Sequence, residues 1–222
     1  ETLIITLQAQ LDASGDDTPL HLGHRLDRDT SGVLIVARGD EPNRVIKAAF
    51  KSRAVRKGYL AIVLGEPPWD EAHSDASLDD GPPGQLVRIR QVISPKGSSA
   101  HTQFRVIARA PGHALLACHP HTGRLHQIRL HLEGLGFPIL GDKLYGTDGT
   151  KFIRFLEEGP SPELEAELGL WRHALHAHWI ELPHPIKGNR LRLSSPLPTD
   201  LRRKWAELSG DMPPADWPPP SW

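Results

Sequence analysis

His24-Arg25-Leu26-Asp27-Arg28-Asp29-Thr30-Ser31-Gly32, followed at once by Val33-Leu34-Ile35-Val36-Ala37, is the stretch around which the rest of the chain arranges itself. A polar segment closed by a glycine gives way to a short apolar run. That is the pattern of a loop ending at the mouth of a buried strand. Asp27 sits in the loop, flanked by Arg25 and Arg28. Nearby cations favour the charged form of a carboxylate, and a charged carboxylate is a competent nucleophile. A surface ion pair that merely positions a loop has the same residues, and local chemistry alone favours that plainer reading.

Working outward, residues 1–12 read as a helix or the end of one, and 13–23 as a polar loop with Gly and Pro. Downstream, Asp40 is the expected N-cap of a helix with Pro42 in its first turn. Val45, Ile46, Ala49 and Phe50 then share one face. Lys57–Gly65 (KGYLAIVLG) is strand-like, and residues 66–84 form a Pro/Asp/Gly-rich loop or hairpin excursion. Residues 86–93, 101–109 and 113–119 carry the Thr, Val, Ile and Phe of strands, with Pro111-Gly112 as a turn. Residues 123–135 read as a helix capped by Thr122, with Leu125, Ile128, Leu132 and Leu135 in a stripe and Gly134 or Gly136 at its end. Residues 150–158 and 161–168 are acidic and helix-prone. His176–Leu182 and Arg190–Ser194 look like two more strands, and Pro198–Leu208 like a closing helix. Many strands with a few interleaved helices predict a mixed sheet in an α/β or α+β domain. Residues 1–209 are expected to form that domain, and 210–222 a Pro-rich disordered tail.

The composition is that of a globular chain: 222 residues, 38% hydrophobic and 24% charged, rich in Gly and Pro. No apolar run approaches the ~20 residues of a membrane span, and residues 1–11 lack the marks of a secretory signal. Cys118 is the only cysteine, so no intrachain disulfide can form; a reducing, cytoplasmic setting follows by default. Net charge is −1, which excludes a uniformly basic nucleic-acid binder. The charges are segregated, however. Residues 43–65 and 81–132 together hold 13 Lys/Arg and no Asp/Glu. Such blocks suggest one face for a polyanion and another for solvent, although they can also fold onto different faces.

Three further features carry chemistry. Arg129 borders the apolar stripe of its helix, and a partly buried Arg needs a carboxylate partner, for which Asp27 is a candidate, or else snorkels to water. Tyr59, one of two tyrosines, could stack on a base or simply pack in the sheet. His121, His126 and His131 invite a metal reading, but a spacing of five puts them on different helix faces and fits no ligand pattern. No metal site and no cofactor are expected, and no Rossmann glycine pattern or P-loop is present.

Together these segments resemble the RluA branch of the RNA pseudouridine synthases. His24–Gly32 (HRLDRDTSG) is similar to that family's catalytic loop, and Lys57–Ala61 (KGYLA) to the segment bearing its active-site tyrosine. Thr122–His131 (TGRLHQIRLH) is similar to the motif that supplies its arginine, and Pro138–Gly146 (PILGDKLYG) to the stretch that follows. Leu175-His176-Ala177 and His184-Pro185 resemble its C-terminal strand region. The resemblance runs from about residue 20 to 200. It implies the family's fold: a mixed, mostly antiparallel sheet flanked by helices and loops around a catalytic cleft. The chain departs from the pattern in two places. Nothing matches the family's first strand and its Lys-Pro-x-Gly segment, so an N-terminal strand is expected to be missing. Leu125 stands where Thr or Ser is commoner. With no small RNA-binding domain ahead of the catalytic part, target choice is expected to rest on the latter or on the missing segment.

The resemblance further implies isomerisation of uridines in structured RNA, ribosomal or transfer; a monomer is expected by default. Asp27 would act in glycosidic cleavage, Arg129 would pair with it, and Tyr59 would stack on the flipped base. Arg25 would fill the space the base leaves. His24, Arg28, Lys57, Arg124 and His126 are further expected RNA contacts, with basic segments 43–57 and 88–109 on the phosphates. Thr30, Ser31 and Gly32 would scaffold the loop. Two other classes compete: a catalytically silent RNA-binding module of the same fold, which would lack one of the three catalytic side chains, and a histidine-dependent hydrolase, for which Asp29 is a weak second carboxylate.

Overall fold

Near-continuous burial along three long segments, residues 56–64, 113–120 and 175–183, sets the centre of the molecule. The computed structural model describes residues 2–213. Its elements run α1 (Leu3–Ala13), β1 (Leu20–Leu22), β2 (Ser31–Gly32), β3 (Val36–Arg38), α2 (Asp40–Lys51), β4 (Arg56–Leu64), β5 (Glu71–Ser74), β6 (Leu78–Asp80) and β7 (Gln91–Ile93). They continue β8 (Thr102–Ala110), β9 (His113–Pro120), α3 (Gln127–Gly134), α4 (Thr150–Glu158), α5 (Pro162–Leu168), β10 (Leu175–Pro183), β11 (Arg190–Ser194) and α6 (Thr199–Ser209). The main sheet has the order β11-β10-β4-β9-β8-β5, antiparallel throughout, with β2 joined parallel to β10. This is the mixed, mostly antiparallel sheet the sequence implied. Among the described residues no helix is long and apolar enough to cross a membrane.

The sheet interior is apolar on both faces. Leu60, Ile62, Leu115, Leu116 and Phe104 are at most 1% exposed, and α6 seats Leu201 and Trp205 in the same cluster. A second cluster holds Leu130, Leu144 and Tyr145. In a third, Ile46 of α2 meets Ile35, Ala37 and Ile180. Removing some 150–250 Å² per aromatic from water makes these clusters the main source of stability.

Several expectations are corrected. The expected Val33–Ala37 strand is split: the pairing ends at Gly32 on β10 and resumes at Val36 on β1. The N-cap of α2 is Gly39, and Asp40 is the first residue of the helix. Of residues 86–93 only Gln91–Ile93 are strand. Between 66 and 84 the excursion contains two short strands, Glu71–Ser74 and Leu78–Asp80. The helix expected from residue 123 begins at Gln127, behind a left-handed His126 with φ 55°. Leu125 therefore leaves the stripe and lies 37% exposed. The tail expected from residue 210 lies, from 214 onward, outside the described residues.

Candidate active site

The loop bearing Asp27 is fastened to β10 by backbone and by hydroxyls. Ser31 and Gly32 pair with His176 and Ala177. Gly32 has φ +119°, and a Cβ there would stand 2.1 Å from the Ala177 carbonyl oxygen, so only glycine permits the approach. Ser31 Oγ donates to His176 Nδ1 at 2.9 Å, because the other ring nitrogen, Nε2, donates to the Ser195 carbonyl at 3.1 Å. Thr30 Oγ1 shares a hydrogen bond with His173 Nε2 at 2.7 Å. Asp29 accepts from Lys143 Nζ at 2.9 Å. The scaffolding expected of Thr30, Ser31 and Gly32 is thus provided by contacts with β10 and with His173 just before it, about 145 residues away.

Asp27 Oδ2 accepts from Arg129 Nη1 at 3.0 Å, and the Arg129 side chain is 6% exposed. The same guanidinium is clamped from behind by Asp142. Nε donates to Oδ2 at 2.6 Å and Nη2 to Oδ1 at 2.8 Å. Asp142 also accepts from the backbone N–H of Leu144 and of Tyr145. Burial alone would push the Arg129 pKa down; the Asp142 hydrogen bonds and charge, with Asp27 behind them, more than offset this and raise it. Burial would likewise push Asp142 up, but Arg129 holds it below the usual carboxylate range. The guanidinium is therefore a fixed cation gripped by one carboxylate and offered to another. Asp142 was missed at the sequence level, although it lies in the quoted PILGDKLYG stretch; a buried arginine's need for a carboxylate was the available signal.

Tyr59 lines the same cleft on β4. Its phenol is pushed up by burial and then by the Asp27 charge, so it stays protonated. The cleft encloses about 530 Å³, and Arg25, Lys57, Arg124 and Phe50 are on its walls. Arg25 and Arg124 are exposed. Lys57 reaches towards the Thr122 carbonyl at 3.4 Å, and burial lowers its pKa.

The structure separates the remaining expected RNA contacts. His24 is tilted against Phe50, its Nε2 accepts from the Ile35 N–H at 3.1 Å, and burial followed by the Lys57 charge lowers it to about 4. It is a neutral wall residue. Arg28 is exposed with its guanidinium 5.8 Å from the Phe155 ring centre, and it is absent from the cleft lining. His126 is buried, 3.9 Å from Asp27 Oδ2. In the basic segment 88–109, Arg90, Arg105 and Arg109 pair with Glu133, Glu71 and Asp70. Charge segregation along the chain is partly undone in space. Among the described residues no group of three or more His, Cys, Asp or Glu is placed to hold a metal.

Comparison with known proteins agrees with this geometry. The family model described as RNA pseudouridylate synthase matches residues 5–134. A "Ribosomal large subunit pseudouridine synthase D" of Xanthomonas campestris is 39% identical over 189 residues, 85% of this chain and 54% of that protein. An "Uncharacterized RNA pseudouridine synthase" of Chloroflexus aurantiacus is 37% identical over 81% of this chain and 50% of its own length. The chain thus spans about half the length of these curated relatives. Among solved structures, "Human RNA Pseudouridylate Synthase Domain Containing 4" superposes with a TM-score of 0.69 at 29% identity, covering 93% of this chain and 81% of that one. The motifs, the sheet and the family match together establish that this chain belongs to the RNA pseudouridylate synthase family.

Proposed function

We propose that the protein isomerises uridine to pseudouridine in RNA, with Asp27 acting in glycosidic cleavage. The observation that carries this is the Asp142–Arg129–Asp27 chain of hydrogen-bonded charged groups, which brings one carboxylate to a cleft that Tyr59 also lines. The reaction breaks the C1′–N1 bond, forms C1′–C5, removes a proton from C5 and places one on N1. It is balanced without a redox partner. Arg129 occupies Oδ2, while Oδ1 has no hydrogen bond among the described residues. Tyr59, neutral, offers a ring for stacking and a hydroxyl for the proton that moves.

A paired uridine must leave its stack to enter, at a cost of a few kcal/mol. Arg25, exposed on the cleft wall two residues before Asp27, would fill the vacated space, with Arg124 and Lys57 on the phosphates. Relatives named for the ribosomal large subunit make large-subunit ribosomal RNA the substrate we favour over transfer RNA. Asp27→Ala is expected to abolish pseudouridine formation on an unmodified large-subunit ribosomal RNA transcript while leaving RNA affinity within about tenfold. Full activity in that variant rules out the assignment. Mapping pseudouridines in cells with and without the gene identifies the target.

A further inference from the structure

His126 occupies an uncommon position. Its backbone is left-handed, φ 55° and ψ 18°, with a β-carbon to accommodate. Non-glycine residues adopt that conformation at a cost, and such strain collects at functional sites. The residue is buried, yet it forms part of the cleft wall. Its two ring nitrogens face different partners. Nδ1 is 2.9 Å from Tyr145 Oη, and Nε2 is 3.9 Å from Asp27 Oδ2.

The hydrogen bonds around Tyr145 decide which nitrogen carries the proton. Tyr145 Oη accepts from the Gln91 backbone N–H at 3.0 Å. Its own proton has one acceptor within reach among the described residues, His126 Nδ1. A buried hydroxyl proton finds its acceptor. Nδ1 therefore accepts, and the proton of the neutral ring stands on Nε2, facing the carboxylate. The groups around the imidazole are Arg129, Asp27, Asp142, Arg25 and Tyr145. Burial, followed by the Arg129 charge, outweighs the carboxylates and lowers the ring to about 4. Tyr145 is itself held in place: the guanidinium carbons of Arg129 and Arg90 lie 5.0 and 5.5 Å from its ring centre.

We propose that His126 is a positioning residue for Asp27, set by a relay from Gln91 N–H through Tyr145 Oη to Nδ1 so that its Nε2–H is presented to Oδ2. This rests on the function proposed above and adds a role for a residue otherwise expected only as an RNA contact. Arg129 and His126 then address the same oxygen, Oδ2, which leaves Oδ1 for the substrate. A separation of 3.9 Å exceeds a hydrogen bond; such contacts tighten when a site fills.

The test has a structural arm and a kinetic arm, both on the full chain. In nitrogen-15 spectra at pH 7, with the resonance assigned by its loss in His126→Gln, Nε2 is expected to carry the proton and Nδ1 to be bare. A proton on Nδ1, or an imidazolium, overturns the relay whatever the enzyme's activity. On an unmodified large-subunit ribosomal RNA transcript, His126→Phe is expected to lower kcat about 10- to 100-fold, the scale of losing a supporting hydrogen bond around a reactive centre. KM should stay within about threefold. His126→Gln, which restores an N–H donor, is expected to recover part of that loss. Tyr145→Phe removes the donor that reserves Nδ1 as an acceptor, so nitrogen-15 spectra of that variant at pH 7 are expected to show the proton shared between Nδ1 and Nε2. Wild-type kcat in His126→Phe, or an unchanged Nε2–H tautomer in Tyr145→Phe, overturns the proposal. A wild-type chain that makes no pseudouridine while showing the expected tautomer counts instead against the proposed function.

Discussion

At the scale of single residues, the site is a chain of charges whose middle member needs both neighbours. Arg129 donates two hydrogen bonds to Asp142 and one to Asp27. That Asp27, Tyr59 and Arg129 belong together was legible in the sequence because each sits in a distinctive short motif, and the three line one cleft. Asp142 was not singled out, because its role is defined only by the fold that brings it against Arg129. Its carboxylate is fully buried and also caps two backbone N–H groups. Removing one member of a buried pair leaves an uncompensated charge, at about 3–5 kcal/mol. Asp142→Ala is therefore expected to lower the urea midpoint by that equivalent, with activity lost as well. Asp27→Ala removes the more exposed partner, so Arg129 keeps Asp142 and the stability loss should be below about 1 kcal/mol. Equal losses in the two variants would contradict the view that Asp142 is the structural anchor.

At the scale of elements, two pieces of backbone aim the site, and sequence periodicity could see neither. One is β2, two residues long, whose parallel pairing to β10 holds the loop. A two-residue strand has no periodicity to read, which is why the polar loop and the apolar run after it suggested a single strand from Val33. The other is the start of α3. Thr122 looked like a cap, but its Oγ1 donates to Gln127 Oε1 and accepts from the His101 N–H, tying down an irregular turn that delivers Arg124, Leu125 and His126 to the cleft. Apolar spacing carries no record of that turn. Gly32→Ala tests the first element. Its Cβ would meet backbone rather than a yielding side chain, so the variant is expected to lose about 1–3 kcal/mol. Pseudouridine formation should fall further than stability predicts, because the displaced segment carries Asp27. A Gly32→Ala protein with wild-type kcat would show that the β2 pairing does not set the position of Asp27.

At the scale of the whole molecule, charge and histidine content were visible from the start, but their arrangement was not. The basic block at 88–109 meets acidic residues from elsewhere in the chain, which a count along the sequence cannot foresee. Several histidines are interior polar links: His173 and His176 tie the Asp27 loop, and His119 donates from Nδ1 to the Lys57 carbonyl at 2.6 Å. His24, His119, His126, His173 and His176 are each lowered to about 4, burial being the largest cause in every case. In the unfolded chain they return to about 6.5. Above that pH neither state binds these protons, and the histidines leave stability flat. Below it the unfolded chain takes up protons that the folded protein refuses. Stability then falls by at most about 1.4 kcal/mol per pH unit for each imidazole, until the folded values near 4 are reached. Asp142, held below its usual range, adds its own loss only at lower pH, as its carboxylate begins to protonate. Urea unfolding from pH 7.5 to 4.5 should therefore show a level midpoint down to about 6.5 and a steepening decline beneath it, with net proton uptake on unfolding near pH 5.5. A midpoint that stays level to pH 5 would mean that these imidazoles are charged in the fold, and the neutral hydrogen-bond links assigned to the Asp27 loop and to His126 would have to be abandoned with it.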